Sequence, residues 1–192
     1  MALEFVRVGG GTAVRPIANF FLSMEKSGDV KFFHPHPITE EEAVKRCSYD
    51  GKDLYYVATN EGTVLAYGML RGWDEGYAIP SLGIFVHQSA RGTDLARAFM
   101  LFLHAAAKAH GAEKVMLKVY PQNLFAVRLY ENVGYKFSEK VAGQLVGYVK
   151  LKTQGKAESR ESRRDEPAIA PTVELKDKVK SAGEMSKKSE SF

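Results

Sequence analysis

The sequence of 192 residues contains a single cysteine, Cys47. That excludes an intrachain disulfide, and no CxxC pair or Cys/His cluster with zinc spacing offers a structural metal site. A reducing compartment and no metal are therefore the expectations. Long apolar runs are also missing: no stretch approaches the 18 or so apolar residues that a membrane-spanning helix requires. The opening MALEFVRVGGG carries Glu4 where a signal peptide keeps an unbroken apolar core. The expected location is cytoplasmic, with no membrane partner. Charge of one sign is scarce, since the net charge is only +4. So small an excess gives no reason to expect a nucleic-acid partner. What remains is ordinary for a globular protein, with 45% hydrophobic and 26% charged residues in a length that fits one domain plus an appendage.

The appendage is visible as a change of composition after Leu151. Residues 152–192 hold ten Lys or Arg against eight Asp or Glu, and no aromatic before the final Phe192. A charged, disordered tail is expected there, with a short amphipathic turn conceivable around Val173 to Val179. Residues 1–151 instead alternate between two periodicities. Leu3 to Val8 reads as a strand before three glycines, and Val14 to Met24 repeats its apolar residues at helical spacing. Thr39 followed by Glu40, Glu41 and Glu42 caps a second helix to about Cys47. Strands are expected over Leu54 to Thr59 and Val64 to Leu70, joined by a hairpin turn at Asn60-Glu61-Gly62. A longer strand from Tyr77 to Val86 contains Pro80, which predicts a bulge or a local opening because proline donates nothing to a ladder. Asp94 to His110 is the strongest helix and is closed by Gly111. Lys114 to Tyr120 is a strand, Leu124 to Asn132 a helix, and Tyr135 to Phe137 with Leu145 to Leu151 complete the sheet. This order defines an α/β (α+β) domain, a mixed central sheet of six to seven strands with about four helices on both faces.

Residues 87–96, HQSARGTDLA, join an apolar strand to the long helix. A short polar loop there collects unpaired N–H groups in front of a helix dipole, which suits an anion. Arg91 adds a cation and Gly92 lets a ligand approach the backbone. Together with the later segment N-x-x-A-x-x-L-Y-x-x-x-G-[FY], read here as Asn123, Ala126, Leu129, Tyr130, Gly134 and Tyr135, this region resembles the GNAT acetyltransferases, the Gcn5-related N-acetyltransferase superfamily. The resemblance spans about Leu3 to Leu151. It implies acetyl transfer from acetyl-CoA, as co-substrate, to a primary amine by direct attack in a ternary complex.

By resemblance, the backbone of Ile84, Phe85 and Val86 holds the pantetheine arm and polarises the thioester carbonyl. The loop Arg91, Gly92, Thr93, Asp94, Leu95 and Ala96 takes the pyrophosphate, Asn123 contacts the cofactor, and Tyr130 is the general acid for the departing thiolate. One position departs from the family loop [QR]-x-x-G-x-[GA], because Asp94 stands where the glycine belongs. Its carboxylate either repels the pyrophosphate by roughly a kcal/mol or turns back to cap the helix at Leu95 to Arg97.

The acceptor side follows the family less closely. Many relatives carry a glutamate base on the strand that here reads Ala78, Ile79, Pro80 and Ser81, which offers no carboxylate. Glu75 and His36 are the substitute candidates for catalysis, with Asp74 and His34 nearby. Substrate binding is assigned to His34, His36, Arg71, Trp73, Asp74 and Ser81. FFHPHPIT and YGMLRGWDEGYAIPSLGI also look like bacterial GNATs that acetylate amino-sugar nucleotides, with Arg71 as a cation, Trp73 a stacking surface and Asp74 an acceptor. The expected partner is a small-molecule amine, and a homodimer stays open. The alternatives are a protein N-terminal or lysine acetyltransferase, or a non-catalytic GNAT fold that serves as an interaction module.

Overall fold

The computed structural model describes residues 2–33 and 35–151. The expected tail, its amphipathic turn and His34 lie outside the described residues. Seven strands form one sheet: β1 (Leu3–Val8), β2 (Leu54–Asn60), β3 (Thr63–Arg71), β4 (Ser81–Val86), β5 (Lys114–Val119), β6 (Lys136–Val141) and β7 (Gln144–Lys150). Their spatial order is β1-β2-β3-β4-β5-β7-β6. Every neighbouring pair is antiparallel except β4 and β5, which are parallel. The α-helices among the described residues are α1 (Val14–Lys26), α2 (Glu40–Cys47), α3 (Leu95–Ala109) and α4 (Leu124–Asn132). The expected mixed sheet with helices on both faces is therefore what the chain forms.

Two apolar cores separate the faces. On one, Ile17, Phe20, Phe21 and Met24 of α1 and Ala43 and Cys47 of α2 pack on Tyr55, Val57, Tyr67, Met69 and Phe85. On the other, Phe99, Met100, Leu103 and Ala107 of α3 pack with Leu70, Leu82, Val115, Leu117 and Tyr130. The alternation of strand side chains sends neighbours to opposite faces, and the helices bury their apolar stripes against each. Gly68 sets how closely α3 can lie on the sheet. A Cβ there would meet Leu103 Cδ1 at 2.7 Å and Phe99 Cε1 at 2.9 Å.

Thr39 caps α2 as expected, its hydroxyl accepting from Glu42 N–H at 3.2 Å. The hairpin at Glu61-Gly62 also forms, with both residues at positive φ, 50° and 77°. Three expectations need correction. The strand around Pro80 begins only at Ser81, where the ladder to β3 starts with Arg71↔Ser81. Residues 77–80 instead form an irregular bend after a turn at residues 73–76, with Tyr77 N–H on Gly72 O at 2.9 Å. Pro80 contributes its carbonyl, which accepts from Met116 N–H at 3.0 Å. Secondly, β6 runs to Val141, well past Phe137. Its sequence KFSEKV is mostly exposed at a sheet edge, where charged residues are favoured and an apolar pattern gives little signal. Thirdly, Asp94 occupies the N-cap position of α3 but makes no side-chain cap bond. Thr93 does so from one residue earlier, its hydroxyl accepting from Leu95 N–H at 3.3 Å.

Candidate active site

The parallel joint between β4 and β5 consists of one register pair, Ser81↔Met116. Beyond it β4 continues to Val86 along β3, but no ladder crosses to β5. The sheet is thus open at its centre, and around Ile84 the edge of β4 that would face β5 is available for hydrogen bonds to something other than protein. Below the gap the register runs straight across four strands, Arg71↔Ser81↔Met116↔Tyr148. Their side chains share one face of the sheet.

A cleft of about 990 Å³ opens there. Its floor and rim include Met69, Arg71, Ser81, Leu82, Ile84, Met116 and Lys118. Its walls include Phe32, Phe33, Tyr77, Tyr120, Tyr130, Gln144 and Tyr148, with Glu75 at the β3–β4 turn. Phe32 and Phe33 reach it because residues 29–32 form a short 3-10 turn after α1, an element that periodicity does not reveal.

Tyr130 stands at this cleft from α4 and is only 9% exposed. Among the described residues its hydroxyl has no hydrogen-bond partner, while its ring lies 6.0 Å from that of Tyr135. Burial pushes its pKa up to about 12, so the hydroxyl keeps its proton throughout the neutral range. A donor at the cleft without a protein acceptor is one a ligand can use.

The loop that follows β4 has the features the sequence suggested for an anion. Gly92 has φ 73°, the left-handed conformation in which glycine is unstrained, and a Cβ there would meet nothing within 4 Å. Arg91 folds back over the strand end, its Nε donating to Val86 O at 3.2 Å and its guanidinium lying 5.6 Å from the Phe85 ring centroid. Thr93 Oγ1 donates to Ala90 O at 2.7 Å. Among the described residues the N–H groups of Ala96 and Arg97 have no partner, as the first turn of a helix dictates. Asp94 is exposed and leaves them open. Asn123 caps α4, its Oδ1 accepting from Ala126 N–H at 3.3 Å, which leaves the amide NH₂ for a ligand.

The candidates for the acceptor side separate into two groups. Arg71, Glu75 and Ser81 line the cleft. His36, Trp73 and Asp74 do not. The His36 side chain is 4% exposed, with Nε2 3.1 Å from Tyr67 OH and Nδ1 2.6 Å from Pro37 O, and burial pulls its pKa down. It belongs to a buried polar group in which Glu42 pairs with Arg46 and Arg46 reaches Tyr55 OH. Trp73 packs edge-on against His110, with centroids 4.5 Å apart. Asp74 accepts from Tyr49 OH and from Lys52 N–H, and the Tyr49 bond holds its carboxyl below the usual range. Sequence reasoning missed Lys118, Tyr120, Gln144 and Tyr148. The alternation of Met116, Lys118 and Tyr120 against buried Val115, Leu117 and Val119 was the signal that could have found the first two.

A glycine-containing loop at a helix start thus stands beside a sheet opened at one parallel joint, with a tyrosine lining the cleft at that opening. The model of the acetyltransferase (GNAT) family matches residues 21–135, and the chain belongs to that family. Solved structures agree on the fold. The GNAT domain of S. lividans PAT superimposes with a TM-score of 0.66 at 17% identity, covering 78% of this chain and 90% of that one. The yncA protein of Salmonella typhimurium, solved with its cofactor acetyl-CoA, gives 0.63 at 14% identity, covering 83% and 99%. The ribosomal-protein-S18-alanine N-acetyltransferase of Escherichia coli gives 0.60 at 16% identity, covering 81% and 98%. No curated protein sequence matches the chain. Among the described residues no helix is long and apolar enough to cross a membrane.

Proposed function

We propose that the protein is an acetyl-CoA-dependent N-acetyltransferase whose acceptor is a small primary amine. The observation that carries this reading is the opened β4–β5 joint with the unpartnered Tyr130 hydroxyl facing the same cleft. The cofactor fits the residues present. The free edge of β4 offers sheet-like hydrogen bonds to an amide-bearing arm, and the loop from Arg91 to Ala96 offers open N–H groups, a cation and a glycine to a pyrophosphate. Bound acetyl-CoA supplies an activated acetyl thioester.

The residues of the chain then divide the work. Backbone N–H groups of β4 near Ile84 polarise the carbonyl that is attacked. Glu75, the one carboxylate among the described residues lining the cleft, takes the proton that the attacking amine must lose, directly or through water. Tyr130 donates to the sulfur as it leaves. Trp73 and Asp74 are engaged elsewhere, which removes two of the three groups that supported an amino sugar in particular, so the acceptor is proposed at the level of a small amine. Calorimetry with acetyl-CoA, followed by CoA-release assays over a panel of amines with the native chain and Glu75→Gln, tests this. Micromolar binding and amine-dependent release that falls in Glu75→Gln support it. A chain that does not bind acetyl-CoA defeats it.

A further inference from the structure

We propose that the acceptor is an amine bearing a carboxylate on the same small molecule, and that Arg71, assisted by Lys118, binds that carboxylate. This rests on the transferase reading above. The case begins with an arginine whose bonding capacity is little used. A guanidinium has five N–H donors. Arg71 spends one, Nη1 on Pro35 O at 2.8 Å. Its Nε is buried without a hydrogen-bond partner, 3.9 Å from Asp53 Oδ2. Asp53 is itself occupied, because its Oδ1 accepts from the backbone N–H groups of Gly72, Trp73 and Asp74 at 2.8, 2.9 and 3.4 Å. Arg71 is therefore fixed in place while its charge is only partly answered. Its side chain is 32% exposed and lines the cleft. A fork held rigidly in this way loses little freedom on meeting a planar carboxylate.

Placement supports the same reading. Arg71 and Met116 stand in one lateral row, and Lys118 lies two residues further along β5 on the same face. With strands roughly 4.8 Å apart and about 3.3 Å per residue, both cations reach into a space a single small molecule fills. The charge balance selects the molecule. Arg71 and Lys118 line the cleft with one carboxylate, Glu75. With Asp53 behind Arg71 the site is close to neutral, which suits an acceptor that is itself neutral overall, with an amine for Glu75 and a carboxylate for the cations. Phe32, Tyr77 and Tyr148 leave room around it for an apolar or aromatic body.

The test compares acceptors that differ only in the carboxylate. At saturating acetyl-CoA, kcat/KM is measured for phenylalanine against phenethylamine and for methionine against its decarboxylated amine. Glucosamine, glucosamine 6-phosphate and a short peptide with a free N-terminus complete the panel. The expected result is a preference of about tenfold or more for each carboxylated member, collapsing toward one in Arg71→Gln through KM. A charge-assisted bond of this kind is worth roughly 10- to 150-fold. Arg71→Lys should restore part of the preference, and Lys118→Gln should lose a smaller part. Unchanged acetyl-CoA affinity in each variant shows that the fold survives. Equal rates for the paired amines, a preference that persists in Arg71→Gln, or faster turnover of either sugar or of the peptide overturns the inference. So does bound acetyl-CoA with no turnover of any carboxylated amine. Failure to bind acetyl-CoA defeats the transferase reading beneath it instead.

Discussion

Replacing Tyr130 by phenylalanine removes one oxygen atom and separates the chemistry of the site from its stability. The residue is only 9% exposed, and its hydroxyl, at the cleft, makes no hydrogen bond among the described residues, so its loss costs no protein contact. Folding stability at neutral pH should be nearly unchanged. Catalysis should fall, and the elevated pKa bounds by how much. A phenol near pKa 12 is a weaker acid than a thiol near 8.5, and complete transfer to a thiolate would be uphill by roughly 5 kcal/mol in equal surroundings. The apolar pocket that raises the phenol also destabilises a thiolate beside it, which narrows the difference. In the proposed mechanism the hydroxyl therefore serves mainly as a hydrogen-bond donor to developing charge, worth about 1.5–3 kcal/mol, or roughly 10- to 150-fold in kcat. Steady-state CoA release with acetyl-CoA affinity measured in parallel reads this directly. Alkaline denaturation gives an independent check. The folded pKa of about 12 lies above the free value of 10, so the native protein loses up to about 2.7 kcal/mol from this group as pH rises from 10 to 12, and Tyr130→Phe should not. A variant that keeps kcat within threefold refutes the assignment of Tyr130 to the leaving sulfur.

Asp94→Gly should tighten acetyl-CoA binding about fivefold by calorimetry, because an exposed carboxylate about 4 Å from a phosphate costs about 1 kcal/mol in a water-like medium. The gain should shrink as salt is added, and no change at low salt would mean that Asp94 faces away from the phosphates. His104, 9% exposed and bonded to Tyr135 OH at 2.9 Å, has its pKa lowered by burial to about 4. The unfolded chain takes up a proton near 6.5 and the folded one near 4, so stability falls as pH drops through that window, by at most about 3 kcal/mol. Denaturant titrations should show that loss in the native chain and a flatter profile in His104→Gln, and parallel profiles would contradict it.

The parts of the fold that the sequence disclosed are those governed by local rules. Thr39 with three glutamates, the Asn60-Glu61-Gly62 turn and the apolar stripe of α3 each specify their element within a few residues. Pro80 illustrates where such rules stop. A missing N–H announces that a ladder must yield there, but not that the strand will start after it or that its carbonyl will hold the one link to β5. Phe32, Tyr120 and Tyr148 were invisible as site residues for a related reason. They come from a 3-10 turn, the end of one strand and the middle of another, and only the order of strands in the sheet brings them together. His36 and Trp73 went the other way: residue types that suggest chemistry were recruited to packing, since Tyr67 and His110 lay within reach.

The single link between β4 and β5 also determines what keeps the two sides of the domain joined. Residues up to Val86 build β1 to β4, and residues from Lys114 build β5 to β7, so the opening divides the chain in sequence as well as in space. What spans it is the apolar cluster beneath, where Phe99 and Leu103 of α3 sit with Leu82 on one side and Val115 and Leu117 on the other. A joint made of backbone hydrogen bonds and one made of buried hydrocarbon respond differently to temperature. Hydrocarbon burial weakens on cooling, so this domain is expected to loosen first along its central seam in the cold, while β1 to β4 and β5 to β7 each stay laddered.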